Sequence, residues 1–226
     1  LPAAAAAVIF AKFPEAGKVK TRLIGTVSAE TAAALHAICL QHVIEIAAGI
    51  DGLDVWVATT PPDAEFSEFL LPGVQTIDQA DGDLGQRLAD ATSSIFQLGY
   101  RNVILLGSDC ATLTQGDLRK GLAALSAVDV VIGPAQDGGY YLLGMTRYEA
   151  SLFESIDWST ERVCAQTIER VRAADMQHEL LREQRDLDDA ADLRALMEAD
   201  GGDDDEIVRA TREKILKRVT ESWNDE

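Results

Sequence analysis

Residues 7–23 read AVIFAKFPEAGKVKTRL, an apolar run that breaks at Pro14 and Gly17 and delivers Lys12, Lys18, Lys20 and Arg22 within eleven residues. The segment AVIF suits a buried strand, and a cationic loop succeeds it. Residues 1–22 hold four bases against one acid, Glu15, in a chain whose formal net charge is −18. A basic loop on an acidic protein is expected to hold something more negative than the protein itself. A nucleotide di- or triphosphate fits, because several bases can share its charge. The alternative is a solvated surface loop that is basic without a ligand.

Outward from this stretch, apolar runs alternate with helical patterns. Val8–Phe10, Asp54–Thr59, Val74–Ile77, Val103–Leu106 and Val128–Ile132 read as short buried strands. Between them Ser28–Ala48, Asp63–Leu70, Leu84–Leu98 and Thr114–Leu125 carry apolar residues near a 3.6 period. Ser28 and Thr114 are placed to cap helices, and Gly49 and Gly99 to stop them. Strand–helix alternation of this kind predicts a mostly parallel sheet covered on both faces. Such sheets bind ligands beyond the carboxyl ends of their strands. The loop at 12–22 and the segment Gly107-Ser108-Asp109 both follow strands, so both are expected at that edge.

After Ile132 the pattern changes. Asp137-Gly138-Gly139 lies between two apolar segments, as in a hairpin or a ligand-lining loop. Residues 161–174 and 189–198 read as helices, and Ser159 or Thr160 as the cap of the first. Gly201-Gly202 with Asp203–Glu206 reads as a linker, and 207–222 as an amphipathic terminal helix. The expected division is a main domain over 1–200, then an acidic linker and C-terminal helix over 201–226.

At 226 residues and 47% hydrophobic content the chain can build one sizeable core. No uninterrupted apolar run reaches the ~20 residues that span a bilayer. The opening LPAAAAAVIF has no initiator Met, basic n-region or cleavage site, and it is not read as a signal peptide. Cys39, Cys110 and Cys164 are odd in number and far apart, as expected for reduced cytoplasmic thiols. The acidity excludes a general nucleic-acid binder. Residues 183–226 alone hold 15 acids against 7 bases.

Several groups carry chemistry. In LLGSDC, Asp109 follows a buried strand, where an unpaired charge is costly unless a metal or base is nearby. Mg²⁺ is commonly held by one or two carboxylates plus substrate phosphates, so Asp109 reads as a metal ligand or as a cap of the next segment. Gly138 and Gly139, between Asp137 and Tyr140-Tyr141, permit close backbone approach to a sugar or base, or form a plain turn. Asp83-Leu84-Gly85-Gln86-Arg87 opens a helix whose N–H groups can meet an anion, with Asp83 as its cap. The acids Asp186, Asp188, Asp189 and Asp192 read as dipole compensation at a helix start. His36, His42 and His178 lack ligand spacing, and no GxSxG, HExxH, Walker-A or GxGxxG pattern occurs.

Six ordered motifs, KFPEAGKVKTRL, DGDLGQRL, LLGSDCATLT, DVVIGPAQDGGYYLLGM, DWSTERV and RDLDDAADL, span about residues 7–195. Together they resemble the nucleotide-diphospho-sugar transferase-like proteins found beside radical-SAM and selenium-related genes. That family is distantly related to 2-phospholactate guanylyltransferase and the molybdenum-cofactor nucleotidylyltransferases. The resemblance implies a GT-A nucleotide-diphospho-sugar transferase fold, a Rossmann-like three-layer α/β/α domain with a mostly parallel mixed sheet. It implies nucleotide binding by Lys12, Gly17, Lys18, Lys20, Arg22, Asp83 and Arg87, and a metal, Mg²⁺ or Mn²⁺, at Asp109 and Asp188. It places Asp137, Gly138, Gly139 and Tyr140 at the second substrate, with Asp109, Asp137 and Lys20 in the chemistry. Two features depart from its pattern: Ala111 stands where the family has proline, and Asp109 stands alone where many GT-A enzymes carry a DxD pair.

The implied activity is sugar transfer from a nucleotide diphosphate sugar to a small acceptor. The alternatives are nucleotidyl transfer from an NTP to a small phosphorylated acid, with release of pyrophosphate, and nucleotide binding without catalysis. The implied partners are small molecules and a second copy of the chain in a homo-oligomer, not nucleic acid or membrane.

Overall fold

The computed structural model describes residues 4–198 and 205–224. The Gly201-Gly202 linker and Asp203 lie outside them. A seven-stranded sheet forms the middle layer, from β1 (Ala5–Lys12), β2 (Leu53–Thr60), β3 (Gln75–Asp78), β4 (Asn102–Gly107), β5 (Val130–Pro134), β6 (Tyr140–Met145) and β7 (His178–Leu180). Its order is β3-β2-β1-β4-β6-β5-β7, and β6 runs antiparallel to both its neighbours while the other pairings are parallel. The chain leaves β1 toward β3 and returns to β4 on the other side. The crevice between the carboxyl ends of β1 and β4 is therefore the switch point where open α/β sheets bind ligands.

The alternation of β1 sends Ala5, Ala7, Ile9 and Ala11 to one face and Ala6 and Val8 to the other. On the first face lie α1 (Ala29–Ala48) and α3 (Gln115–Ala124); on the second lie α2 (Leu84–Gln97) and α4 (Val163–Ala173). The mixed α/β/α fold is thus the one expected. Ser28 caps α1 through the Thr31 amide, and Asp83 and Thr114 each form a capping box.

A third apolar cluster covers the far side of α1. There Leu35 and Cys39 pack with Leu193 of α5 (Ala190–Glu198) and with Ile215 and Val219 of α6 (Glu206–Asn224). Asp205 accepts from the Ile207 amide at the start of α6. Buried on two sides, α1 keeps only a narrow strip for polar residues such as Gln41 and Glu45, which explains a composition long and apolar enough to cross a membrane by those criteria alone.

Three local expectations change. Asp63–Leu70 is not an α-helix but a loop with one 3-10 turn, Ser67–Phe69. Phe66 and Phe69 meet Phe13 edge-on, with ring centroids 5.5 and 5.8 Å away, and Pro72 ends the segment. Neither Ser159 nor Thr160 is the N-cap of α4; Arg162 is, and Thr160 Oγ1 accepts from its amide. The short edge strand β7 has no apolar run to announce it.

Candidate active site

At the switch-point crevice the first strand ends at Lys12 and the fourth at Gly107. Lys20 follows the first loop with φ 45° and ψ 40°, a left-handed conformation at the start of a 3-10 turn, Thr21–Leu23. Its Nζ donates to Asp109 Oδ1 at 2.5 Å and to Asp188 Oδ1 at 3.3 Å. The Lys20 side chain is only 3% exposed. Asp109 therefore has the nearby base that a buried carboxylate needs, and it caps no helix.

His36 of α1 completes the group. Its Nδ1 lies 3.2 Å from Asp109 Oδ1 and its Nε2 2.9 Å from the Lys12 carbonyl oxygen. A carboxylate and a carbonyl both only accept, so both contacts are hydrogen bonds together only when the ring carries two protons. His36 thereby ties the end of β1 to the segment after β4. The sequence offered no signal for it beyond a polar side chain in an apolar helix.

Burial alone would raise Asp109 and lower Lys20, but each opposes the other. The Lys20 ammonium and the His36 contact hold Asp109 well below the usual carboxylate range, while Asp109, Cys39 and Asp188 hold Lys20 above an ordinary lysine. Asp188, farther from the ammonium, is instead raised by burial. Burial and the charges of Asp109, Asp188 and Asp137 push Asp186 up to about 8. Its Oδ1 is buried without a hydrogen-bond partner. Asp189 and Asp192 do serve a helix start: Asp192 accepts from the Asp188 and Asp189 amides, and Asp189 from the Ala191 and Asp192 amides.

A cavity of about 590 Å³ opens over these groups. Arg22, Asp109, Asp137, Gly139, Tyr140 and Asp188 line it, together with Phe10, Leu84, Leu88, Gly107 and Trp158. Of the remaining expected site residues, Lys20 is bonded to the lining residues Asp109 and Asp188, and Gly138 stands in the chain between the lining residues Asp137 and Gly139. Lys12, Gly17, Lys18, Asp83 and Arg87 are not in the wall. Lys12 Nζ donates to the Lys18 carbonyl oxygen, Lys18 pairs with Glu15 at 2.9 Å, and Arg87 Nε donates to the Gly82 carbonyl oxygen. Much of the loop's positive charge is thus engaged within the protein. At the start of α2 the Asp83 capping box takes up the Gln86 amide, and Trp158 covers Gly85 so closely that a Cβ there would run into its ring nitrogen.

The Asp137-Gly138-Gly139 turn joins β5 to β6 as a hairpin. Gly138 has φ +87°, and a Cβ on it would run into the Glu161 carbonyl oxygen. The Gly138 carbonyl also accepts from the Cys164 amide at 2.9 Å. Of the two glycines, Gly138 is the one that the backbone conformation and the close approach require. A Cβ at Gly139 would meet only Asp137 Oδ1, at 3.1 Å.

Among the described residues, no three of His, Cys, Asp and Glu are grouped to hold a metal ion. Asp109 and Asp188 do form a pair of hard oxygen donors converging on one cation, the Lys20 ammonium. That pair fits Mg²⁺ or Mn²⁺ shared with substrate phosphates.

The family described as "Uncharacterized protein conserved in bacteria (DUF2064)" matches residues 43–160. Among solved structures, a proposed nucleotide-diphospho-sugar transferase from Desulfovibrio desulfuricans G20 is similar at 30% identity and TM-score 0.87, covering 97% of this chain and 98% of that one. CMP:2-keto-3-deoxy-manno-octonic acid synthetase, complexed with CTP, shares the fold at 18% identity and TM-score 0.55, over 85% of this chain and 98% of its own. Rv0371c from Mycobacterium tuberculosis H37Rv, in complex with manganese, does so at 17% identity and TM-score 0.53, over 88% and 100%. No protein of curated function matches the sequence.

Proposed function

The chain belongs to the DUF2064 family of bacterial proteins, and we propose that it is a metal-dependent transferase that binds a nucleotide diphosphate sugar and passes the sugar to a small acceptor. The observation that carries this reading is the convergence of Asp109 and Asp188 on one buried cation at the floor of the switch-point cavity. The similar protein from Desulfovibrio desulfuricans, whose name supplies the substrate class, supports it.

Each wall has a task. Gly107 has no atom within 4 Å of where its Cβ would stand, which lets a ligand lie against the strand end. Leu84, Leu88 and Trp158 give the nucleoside an apolar wall that excludes water. Arg22 offers a cation to the diphosphate. Asp109 and Asp188 would hold a divalent ion, which when bound would neutralise the charge that develops on the leaving diphosphate. As the bond from the anomeric carbon to that diphosphate breaks, a bond to the acceptor oxygen forms and the acceptor's proton is released. Asp137 is the candidate base: its Oδ1 accepts from the Gly139 amide, which leaves Oδ2 for the acceptor.

Nucleotidyl transfer is the second reading, favoured by the lone Asp109 where sugar transferases carry a DxD pair. Thermal shifts with UDP-sugars and with NTPs, each with and without Mg²⁺, separate the two. A metal-dependent shift with UDP-sugars alone supports sugar transfer, one with NTPs alone supports nucleotidyl transfer, and no shift with either leaves a scaffold without this activity.

A further inference from the structure

We propose that Lys20 is an exchangeable counterion: its ammonium and a divalent metal ion compete for Asp109 and Asp188, and metal binding drives the lysine off the two carboxylates. This rests on the reading above that the carboxylates hold a metal.

The two cations draw on the same oxygens. Lys20 Nζ stands between Asp109 Oδ1 and Asp188 Oδ1, at 2.5 and 3.3 Å, and its own side chain is nearly out of solvent. A divalent ion taken up by these same oxygens from the cavity side would stand beside a like charge, in partly buried surroundings that screen the repulsion less than water does. The carboxylates also need some cation, because they converge on one point and Asp186, whose Oδ1 is buried without a hydrogen-bond partner, lies beside Asp188. In the resting protein Lys20 supplies that cation.

The partners are not equally movable. Asp109 stays in place when the lysine leaves, because His36 holds the same Oδ1 from α1 while its other nitrogen is anchored on the Lys12 carbonyl. Lys20 lies on a loop, in a left-handed conformation that costs a lysine energy and that its two ion pairs help to maintain. With those pairs gone, the loop between Gly17 and Leu23 can carry the ammonium toward the cavity above. The fold thus keeps its metal site with a built-in plug.

The test is Mn²⁺ titration of the full chain without nucleotide, followed by electron paramagnetic resonance, for the parent protein, Lys20→Met and Lys20→Arg. Lys20→Met is expected to bind Mn²⁺ at least tenfold more tightly than the parent and to gain more in melting temperature from the ion, while Lys20→Arg binds no tighter than the parent. A second measurement needs no variant: amine acetylation read by peptide mass spectrometry is expected to be slow at Lys20 in the metal-free parent and several-fold faster with saturating Mn²⁺. Lys12 and Lys18 serve as internal references. A folded Lys20→Met that binds Mn²⁺ no tighter than the parent, or a Lys20 whose acetylation ignores bound Mn²⁺, overturns the exchange and leaves the metal reading standing. Absence of Mn²⁺ binding in parent and variants alike overturns the exchange, and its absence also with the nucleotide present overturns the metal reading too. If Lys20→Met does not fold, the acetylation result decides.

Discussion

Arg22 is the base of the first loop that lines the cavity wall, whereas Lys12, Lys18 and Lys20 are engaged with protein groups. Anion recognition in the cleft therefore concentrates on it. Arg22→Ala should weaken nucleotide binding by about 1.5–3 kcal/mol, the range for a lost hydrogen bond to a charged group. The residue is exposed, so melting temperature without ligand should barely change. Calorimetry with the nucleotide that shifts the parent checks the first part and a thermal melt the second; unchanged affinity would make the loop a surface feature. The turn glycines separate in the same way. Gly138→Ala forces a side chain into a left-handed backbone and onto Glu161, so it should lower stability by more than ~1 kcal/mol. Gly139→Ala meets only its neighbour's flexible carboxylate and should cost clearly less. Paired denaturant melts read both, and equal losses would contradict this division.

At the scale of elements, α1 and α6 are joined by a buried polar pin. His42 Nε2 donates to the Leu113 carbonyl at 2.9 Å and its Nδ1 accepts from Thr211 Oγ1 at 3.0 Å, a pattern that suits the neutral ring. Burial, against the smaller opposing pull of the Leu113 carbonyl, lowers the group from 6.5 to about 4. The unfolded chain then binds the proton more readily than the folded one between those values. The stabilisation is fully present above about 6.5 and is lost as pH falls toward 4. A tenfold difference in proton affinity between the folded and unfolded chain is worth ~1.4 kcal/mol. Chemical denaturation across pH 4–7 should therefore show falling stability with acidification in the parent and a shallower slope in His42→Gln. Identical slopes would assign the acid sensitivity elsewhere.

For the molecule as a whole, the third apolar cluster connects the C-terminal helix to the site. It contains Leu23 next to Arg22, Ala111 two residues after Asp109, and Leu187 between Asp186 and Asp188. Ala111 is buried there, and the Leu187 amide donates to the Asp109 carbonyl at 3.0 Å. All three site segments thus rest on a floor that α5 and α6 complete. Ile215 of α6 is fully buried in that floor. Ile215→Ala should cost ~2–5 kcal/mol of stability, in the range for such core truncations, and should also lower nucleotide affinity although it touches no ligand. A variant that loses stability but binds as the parent does would uncouple α6 from the site.

The sequence by itself determined most of the order of strands and helices, short of the edge strand β7, together with the caps at Ser28, Asp83 and Thr114 and the edge of the sheet where Lys20 and Asp109 emerge. These arise from patterns a few residues long: a continuous apolar run in β1, period near 3.6 in α2, and polar side chains that serve their own backbone three residues on. It misjudged Asp63–Leu70, where the packing of Phe66 and Phe69 against Phe13 of the first loop outweighed a local helical pattern. Only the tertiary structure decided that three cations of the basic loop are engaged by groups of the protein itself and that His36, Lys20, Asp109 and Asp188 form one partly buried group. The burial of α1 on two sides was decided there as well. The physical reason is that charge pairing and desolvation depend on distance and burial in space. Residues 20, 36, 109 and 188 have neither until the sheet, α1 and the segment behind α5 have closed around them.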